Sequence, residues 1–319
     1  MIEIKNLQIE SQGSNVFENL SFELGDYNSY AILLGKKCGK TLLASALAGA
    51  IDANDGEILI DDDLMSAENK ELKSLIGFYS ADVKLLGFLS VYETLEFFGI
   101  ARGADREKIA LQAEEALELS ELSEIADCSV DSLSVYQRAK LGIATTLMGK
   151  PSLLIYDDIF KGLDSKETEN IAELVKMIAS KKRTLLICSS PEAASKCCSH
   201  AMFICGDKVV LSDSVENIEN EINKTLEMRL EIKGDVETIK KSLSDMPEIV
   251  KISAPENDES FMFTIEYKND PDIKDKLFSV MADIGAPILS YNEKRLSLAD
   301  VYHSLIKDVS GEASKGGRA

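Results

Sequence analysis

The sequence predicts an α/β protein of two domains: a mainly parallel, helix-covered sheet with an antiparallel β-subdomain and a helical subdomain, then a small ferredoxin-like α+β domain. Three observations predict this arrangement. An apolar strand at residues 30–34 precedes a glycine-bearing loop and a helix at about 41–48. Apolar runs at 153–156 and 184–187 are typical of buried parallel strands separated by a helix. After residue 212, alternating apolar positions replace these runs.

The elements of the first domain follow in order along the chain. Apolar and polar residues alternate over 2–9 and again over 20–24, which predicts antiparallel strands broken by the turn at 11–15. Residues 91–149 carry Leu, Glu and Ala at helical spacing. This stretch predicts a helical subdomain at about 82–150.

The second domain has a different texture. Strand patterns enclose helices near 235–246 and 271–284 in the order strand, helix, strand, strand, helix, strand, which is that of a ferredoxin-like domain. We therefore expect a first domain at 1–212 and an accessory domain at 213–309. The tail at 310–319 has nothing to bury and should be disordered.

The composition of the 319 residues excludes several classes of protein. The net charge of −20 argues against nucleic acid or an anionic membrane surface as the main partner, because both attract basic surfaces. No apolar run reaches 18 residues and the first residues alternate, so we expect neither a signal peptide nor a membrane span. The two histidines, His200 and His303, are too far apart for a zinc site. A bound metal would therefore have oxygen ligands.

Residues 38–41, Cys-Gly-Lys-Thr, match the second half of a phosphate-binding loop. In such a loop, backbone N–H groups at a helix start cradle phosphates, the lysine reaches the outer ones and the threonine holds Mg²⁺. The full pattern would place a glycine at Leu34, whereas the glycine present is Gly35, so the loop is either one residue short or altered at its beginning. A glycine turn with solvated lysines is the alternative. The predicted nucleotide contacts in this loop are Gly35, Lys36, Lys37, Cys38, Gly39, Lys40, Thr41 and Leu42.

Together with this loop, four further segments resemble motifs of the ATP-binding cassette (ABC) ATPases. The motifs occur along the chain in the same order as in that family. The resemblance covers about residues 1–212. Leu133–Arg138 resembles the signature L-S-G-G-Q-R, Leu153–Asp158 the Walker B strand and catalytic-acid position, Lys161–Asp164 the D-loop, and Ser90–Leu95 the stretch T-V-x-E-N-L. The C-terminal part, which ends in Ser297–Tyr302, is similar to the accessory domain of ABC-2-type exporter ATPases.

The resemblance implies the P-loop ABC ATPase fold and a transporter subunit whose ligands are ATP and Mg²⁺. It implies two partners, a second cassette subunit in a homo- or heterodimer and an ABC-2-type integral membrane permease subunit. The permease would hold the chain at the cytosolic face of the membrane. By the same resemblance, Thr41 and Asp157 would hold Mg²⁺, and Ser134, Gln137 and Asp164 would contact nucleotide.

Three positions of the catalytic machinery depart from the family pattern. Asp158 stands where the family has Glu, which keeps the charge but shortens the reach. The slot of the family's Gln holds Ala81, which has no polar atom to offer. The slot of the family's His holds Ser190, which is short and never cationic.

The signature and the adenine-stacking position depart as well. Val135 and Tyr136 put side chains where two glycines would let the backbone approach a phosphate. A plain helix start capped by Ser134 is the alternative for this segment. The stacking aromatic would fall near Ser11, so stacking is lost unless Phe17 supplies the ring.

The sequence therefore predicts an ABC-2-type transporter subunit that binds nucleotide with weak or absent hydrolysis. A hydrolysis-competent ATPase is the alternative, and a nucleotide-free scaffold or regulatory subunit is a further one. By the same resemblance, the membrane subunit would dock at about 82–99, a segment that carries the apolar residues Leu85, Leu86, Phe88 and Leu89; a place for these side chains in the subdomain core is the alternative.

Overall fold

The computed structural model describes residues 1–25, 29–35, 38–253 and 261–303. The chain divides into two compact units. The first holds residues 1–215 and the described residues from Tyr302 onward, and the second holds residues 216–301. The predicted disordered tail lies outside the described residues, as do Lys36 and Lys37.

The first unit contains two sheets and a set of helices. Its strands are β1 (Ile2–Ser11), β2 (Ser14–Leu24), β3 (Ser29–Leu34), β4 (Asp55–Ile60), β5 (Asp63–Leu64), β6 (Ile76–Ser80), β7 (Leu153–Asp157), β8 (Arg183–Cys188), β9 (His200–Cys205) and β10 (Lys208–Ser214). Its helices are α1 (Lys40–Leu47), α2 (Lys70–Ser74), α3 (Val91–Ala101), α4 (Arg106–Leu119), α5 (Val135–Leu147), α6 (Ser165–Ala179) and α7 (Pro191–Cys197).

The larger sheet has the strand order β10-β9-β3-β8-β7-β6. Its strands run parallel except β10, which pairs antiparallel with β9. All residues of β3 and β7 are buried, which confirms the prediction of buried parallel strands. Because the carboxyl ends of parallel strands meet at one edge, Leu34, Ser80, Asp157 and Cys188 lie along the same edge of the sheet.

The smaller sheet is antiparallel and has the order β2-β1-β4-β5. Its alternating pattern buries Ile2, Ile4, Leu7 and Ile9 of β1, so the predicted antiparallel β-subdomain is confirmed. Phe17 of β2 is only 1% exposed and belongs to the same apolar core. The side chain of Phe17 is therefore a core residue.

Helices α3, α4 and α5 form the helical subdomain around their own apolar core. That core includes Val91, Leu95, Ile109 and Leu141. The guanidinium of Arg102, at the end of α3, donates hydrogen bonds to three carbonyl groups at the end of α5, at 2.8 to 3.1 Å. These bonds satisfy carbonyls that the helix end would otherwise leave without partners.

The second unit is a four-stranded antiparallel sheet with helices. Its elements are α8 (Val215–Ile222), β11 (Thr225–Ile232), α9 (Val236–Ser244), β12 (Ile249–Ser253), β13 (Met262–Lys268), α10 (Ile273–Asp283) and β14 (Ile288–Lys294). The strand order β12-β13-β11-β14 and the succession βαββαβ confirm the ferredoxin-like α+β prediction. Leu230, Phe263 and Leu277 lie in its core.

After the second unit the chain rejoins the first. Residues 298–303 are helical. The hydroxyl of Tyr302 donates a 2.9 Å hydrogen bond to the carbonyl oxygen of Leu34, the last residue of β3, and its ring lies 6.1 Å from that of Phe203. Burial raises the pKa of Tyr302 to about 12. Among the helices of the described ranges, none combines the length and the apolar character that crossing a bilayer requires.

Candidate functional site

The phosphate loop follows β3 directly. Leu34 is fully buried as the last strand residue, so the loop begins at Gly35, one position later than the family pattern. The Cys38 N–H donates to the Gly35 carbonyl at 3.3 Å. The loop ends at Gly39, from which α1 begins at Lys40. The predicted succession of strand, loop and helix is therefore confirmed.

Gly39 has two reasons to be glycine. Its φ of +74° is left-handed, a conformation that side chains other than glycine's disfavour. A Cβ on Gly39 would also lie 2.3 Å from Val16 Cγ1 and 2.9 Å from the ring of Phe17. The Phe17 ring packs beneath this turn in the core, so Phe17 does not replace the missing adenine-stacking aromatic.

The ammonium of Lys40 sits at the carboxyl edge of the sheet and is only 12% exposed. It donates to Asp158 Oδ2 at 2.8 Å and to Ser189 Oγ at 2.9 Å. The hydroxyl of Ser189 in turn lies 3.3 Å from Asp158 Oδ1. Asp158 has a left-handed φ of 51°, which Asp tolerates better than most residues. Its short carboxylate is thus turned onto the loop lysine.

Asp157, the last residue of β7, is the best candidate for a metal ligand. Its side chain is fully buried, and Oδ1 has no hydrogen-bond partner among the residues that the structure describes. Its Oδ2 accepts a 2.7 Å hydrogen bond from Ser80 Oγ. Burial raises the pKa of the Asp157 carboxyl, while the Ser80 hydrogen bond and the nearby Thr41 hydroxyl hold it down. A buried carboxylate oxygen without a partner, next to a threonine hydroxyl, fits Mg²⁺, which prefers oxygen ligands.

Several of these side chains line an open cavity of about 310 Å³, which we call the phosphate pocket. The cavity is lined by Val16, Cys38, Gly39, Lys40, Thr41, Leu42, Asp82 and Asp158. Five of the predicted loop residues, Cys38 to Leu42, thus share one pocket with the predicted catalytic position. Asp82, which also lines the pocket, was not among the predicted site residues.

Ala81 and Ser190, which occupy the family's Gln and His positions, do not line this pocket. The backbone N–H of Ala81 donates to the Asp157 carbonyl at 3.0 Å, and its side chain offers no polar atom. Ser190 begins α7 without a side-chain capping hydrogen bond. Its neighbour Ser189, and not Ser190, contacts Lys40.

Sequence reasoning missed Ser80 and Ser189. The available signal was strand adjacency, because Ser80 pairs with Asp157 in the parallel register of β6 and β7. Ser189 directly follows β8, the neighbour of β7 on its other side. A correct strand order would therefore have placed a hydroxyl on each side of the two aspartates.

The signature segment forms a capped helix start. Ser134 Oγ accepts the Gln137 N–H at 3.2 Å, and Gln137 Oε1 accepts the Ser134 N–H at 3.0 Å. This reciprocal pair is a capping box. Val135 is 57% exposed, and the ring of Tyr136 lies 4.9 Å from Lys140 Nζ. The segment is therefore a helix start capped by Ser134, and the contact of Ser134 and Gln137 with nucleotide stays a prediction.

Ser134, Gln137 and Asp164 are not among the residues that line the phosphate pocket. The carboxylate of Asp164 caps α6 by accepting the Glu167 N–H at 2.8 Å. Tyr136 and Lys140 line a separate cavity of about 420 Å³ between α5 and α6. Within one chain, the structure keeps the signature residues apart from Lys40.

Part of the chain is similar in sequence to known proteins. Residues 17–161 match the family model described as "ABC transporter". The linearmycin resistance ATP-binding protein LnrL of Bacillus subtilis is 26% identical over 189 residues, covering 59% of this chain and 61% of LnrL. The Nod factor export ATP-binding protein I of Cupriavidus metallidurans is 28% identical over 236 residues, covering 73% of this chain and 77% of that protein.

Solved structures show the same fold. The dimeric ATP-binding cassette MJ0796 bound to ADP and Pi superimposes with a TM-score of 0.59 at 20% identity, covering 67% of this chain and 98% of that chain. The cbiO1 subunit from Clostridium perfringens gives a TM-score of 0.60 at 20% identity and covers 77% of this chain and 95% of its own. The chain spans about half to three fifths of the length of the first two curated relatives.

Proposed function

We propose that this chain, whose residues 17–161 match the ABC transporter family model, is the ATP-binding subunit of an ABC-2-type membrane transporter and that it binds nucleotide with weak or absent hydrolysis. It pairs with a second cassette subunit, as a homodimer or a heterodimer, and acts on an ABC-2-type permease. The chain is then peripheral on the cytosolic face of the membrane. The names of two relatives, which refer to resistance and to export, support an exporter.

One observation carries this proposal: Lys40, at the start of α1, contacts Asp158, and the adjacent Asp157 has a buried oxygen without a hydrogen-bond partner among the described residues. The lysine and the helix N-terminus favour an anion. The Asp157 oxygen and the Thr41 hydroxyl favour a hard cation such as Mg²⁺. Bound Mg²⁺ would neutralise phosphate charge here. Together these groups suit a magnesium-bound polyphosphate.

Four features support weak turnover. The Asp158 carboxylate is one methylene shorter than the family's Glu and is paired with Lys40. Ala81 and Ser190 supply neither the amide nor the imidazole of the family. Val135 and Tyr136 add side chains at the helix start that a partner cassette would present to a phosphate. Each site of a dimer would therefore lack several of the groups that position water and steady the terminal phosphate.

Lys40 gives the direct test of nucleotide binding. We expect Lys40→Ala to weaken binding of ATP in the presence of Mg²⁺ by at least tenfold, on the order of 1.4 kcal/mol. The reason is that the variant removes the charge that would contact phosphate and leaves Asp158 as an unpaired anion in the pocket. Equilibrium titration of a fluorescent ATP analogue, with and without Mg²⁺, measures the effect.

Lys70→Ala is the matched control, because Lys70 is an exposed lysine on α2 away from the pocket. It should bind as the wild type does. Thermal melts of both variants show whether the fold is retained. Equal binding by the wild type and Lys40→Ala would mean that the loop is not a phosphate site, which favours the nucleotide-free scaffold.

The proposed permease contact lies on an apolar patch of the helical subdomain. Val83 is 55% exposed, Leu86 42% and Phe88 78%, and Phe97 on α3 is 47% exposed. Leu85, in contrast, packs against the subdomain core. Exposed apolar groups within the predicted segment 82–99 support a docking surface for a short cytosolic helix of the permease.

We expect Phe88→Ser to reduce copurification of the membrane subunit with the tagged chain by at least fivefold, because a well-buried aromatic anchor at an interface is worth about 1 to 2 kcal/mol or more. The chain and its permease are co-expressed and isolated from membranes in mild detergent. Leu64→Ser is the control, since Leu64 on β5 is 50% exposed outside the patch. Undiminished copurification by Phe88→Ser would exclude this patch as the permease contact.

A further inference from the structure

An ion pair lies at the mouth of the phosphate pocket. One partner directly follows Ala81, which stands at the position of the family's Gln. Asp82 Oδ1 and Lys161 Nζ are 2.5 Å apart, and both side chains are about half exposed. Asp82 lines the pocket together with Lys40 and Asp158. Lys161 is the first residue of the D-loop segment. Neither residue was among the predicted site residues.

The main chain fixes both partners to the two aspartates at the end of β7. The Ala81 N–H donates to the Asp157 carbonyl at 3.0 Å, and the Asp82 N–H donates to Ser80 Oγ at 3.3 Å. The Lys161 N–H donates to the Asp158 carbonyl at 2.9 Å. The backbone of Asp82 and Lys161 is therefore fixed at the carboxyl edge of the larger sheet, although the ends of both side chains are exposed.

Two ion pairs lie at the pocket. Lys40 is paired with Asp158, and Lys161 is paired with Asp82. The hydrogen bond and the charge of Asp82 raise the pKa of Lys161, and the more distant charges of Asp158 and Asp157 raise it further. The ammonium of Lys161 thus lies within the field of the same carboxylates that face the pocket. A polyphosphate entering the pocket would meet the Asp82 carboxylate and attract both lysines.

We propose that Lys161 is a phosphate-binding residue that senses the terminal phosphate of a nucleoside triphosphate. Its ammonium leaves Asp82 for that phosphate and supplies a cation, which Ser190 in the family's His slot cannot do. Asp82 is a positioning residue, which keeps Lys161 at the pocket mouth when the phosphate is absent. The proposal rests on the proposed nucleotide binding and deepens it, because it assigns selectivity for triphosphate over diphosphate.

The test compares binding of ATP and ADP, each with Mg²⁺, to the full chain by calorimetric titration. Lys161→Ala should weaken ATP binding by roughly tenfold, about the value of one charge-assisted hydrogen bond, and ADP binding by less than about twofold. Lys161→Arg keeps a cation and should retain the preference for ATP. Asp82→Asn removes a competing anion and should strengthen ATP binding by roughly threefold while leaving ADP binding unchanged.

Lys166→Ala is the matched control, since Lys166 is an exposed lysine on the first turn of α6 and does not line the pocket. It should bind both nucleotides as the wild type does. Equal losses of ATP and ADP affinity in Lys161→Ala, or no loss, would overturn the assignment of Lys161. Wild-type binding that depends on Lys40 but not on Lys161 overturns this inference alone, whereas a wild-type chain that binds neither nucleotide overturns the proposed function and the inference with it.

Discussion

Purified wild-type protein should hydrolyse ATP at a rate close to that of Lys40→Ala, well below the roughly 1 per second at the low end of typical enzyme turnover. The main reason is reach, because the Asp158 carboxylate stops about 1 Å short of the position that a glutamate would occupy. A misplacement of that size can cost roughly 10²-fold. In the structure this carboxylate is also engaged by Lys40 and lies close to Ser189.

Further groups are missing around the same reaction centre. Ala81 and Ser190 remove two groups that would orient water and steady the terminal phosphate, and each loss could cost about 10²-fold by analogy with oxyanion-type donors. The losses do not multiply simply, because groups that act as a unit are strongly non-additive. For the same reason Asp158→Glu alone should recover little activity. A restored carboxylate still lacks the donors around the phosphate.

Steady-state phosphate release by wild type, Asp158→Glu and Lys40→Ala shows whether the wild type hydrolyses ATP above background, with Lys40→Ala as the blank. We expect all three rates to agree within about tenfold, given the missing donors. A wild-type rate near 1 per second, abolished in Lys40→Ala, would contradict impaired turnover and establish the hydrolysis-competent alternative.

Asp157→Asn should stabilise the protein in the absence of Mg²⁺ and remove the extra stability that Mg²⁺ and ATP confer. The wild-type carboxylate is buried, and one of its oxygens has no hydrogen-bond partner in the described part of the chain, so its charge costs folding free energy. Removing that charge should raise the free energy of unfolding by about 1 kcal/mol or more, and the melting temperature by about 2–4 °C. The variant also loses the carboxylate that would hold the cation.

The stability gain from Asp157→Asn should depend on pH. Burial raises the folded-state pKa of Asp157 above its ordinary value of 3.8, so the folded state binds the proton more tightly than the unfolded state. The stability from the protonated carboxyl is present below pH 3.8 and is lost as the pH rises through the folded-state pKa. The advantage of the variant should therefore grow from pH 3.8 upward and level off above that pKa.

Scanning calorimetry at about pH 4 and pH 7, with and without Mg²⁺ and ATP, measures both effects, since ligand binding to the folded state raises the melting temperature. Asp127→Asn is the control, because Asp127 is exposed. It should melt as the wild type does. An Asp157→Asn variant that is less stable than the wild type at pH 7 without ligand would contradict the cost of the buried charge, and one that still gains the wild-type stability from Mg²⁺ and ATP would contradict the metal assignment.

The phosphate loop and Asp157 could be predicted from sequence because their signals are local. A buried apolar run followed by glycine, lysine and threonine, or by aspartate, places these residues at strand ends without knowledge of the fold. Ser80 and Ser189 depend instead on which strands are neighbours. Their distances to Asp157 and Asp158 follow from the registers of β6, β7 and β8, and strand order is fixed by pairing between distant parts of the chain.

The role of Phe17 and the pair of Asp82 with Lys161 show the same limit. Ring packing beneath Gly39 depends on how the antiparallel sheet and the loop meet, which no local pattern specifies. Asp82 and Lys161 are 79 residues apart in sequence. Each looks like an ordinary surface charge in its own segment, and only the fold brings the two together at the pocket.

The hydrogen bond from Tyr302 to Leu34 joins residues separated by 268 positions, so it also sets an order of events during synthesis. Residues 1–215 leave the ribosome first, and Tyr302 follows only after residues 216–301, on the order of 10 s later at ordinary translation rates. Until then the carbonyl at the base of the phosphate loop lacks this donor, and Phe203 lacks the tyrosine ring. The nascent chain can therefore form the contacts of Tyr302 with Leu34 and Phe203, at the start of the phosphate loop, only after its second domain has been made.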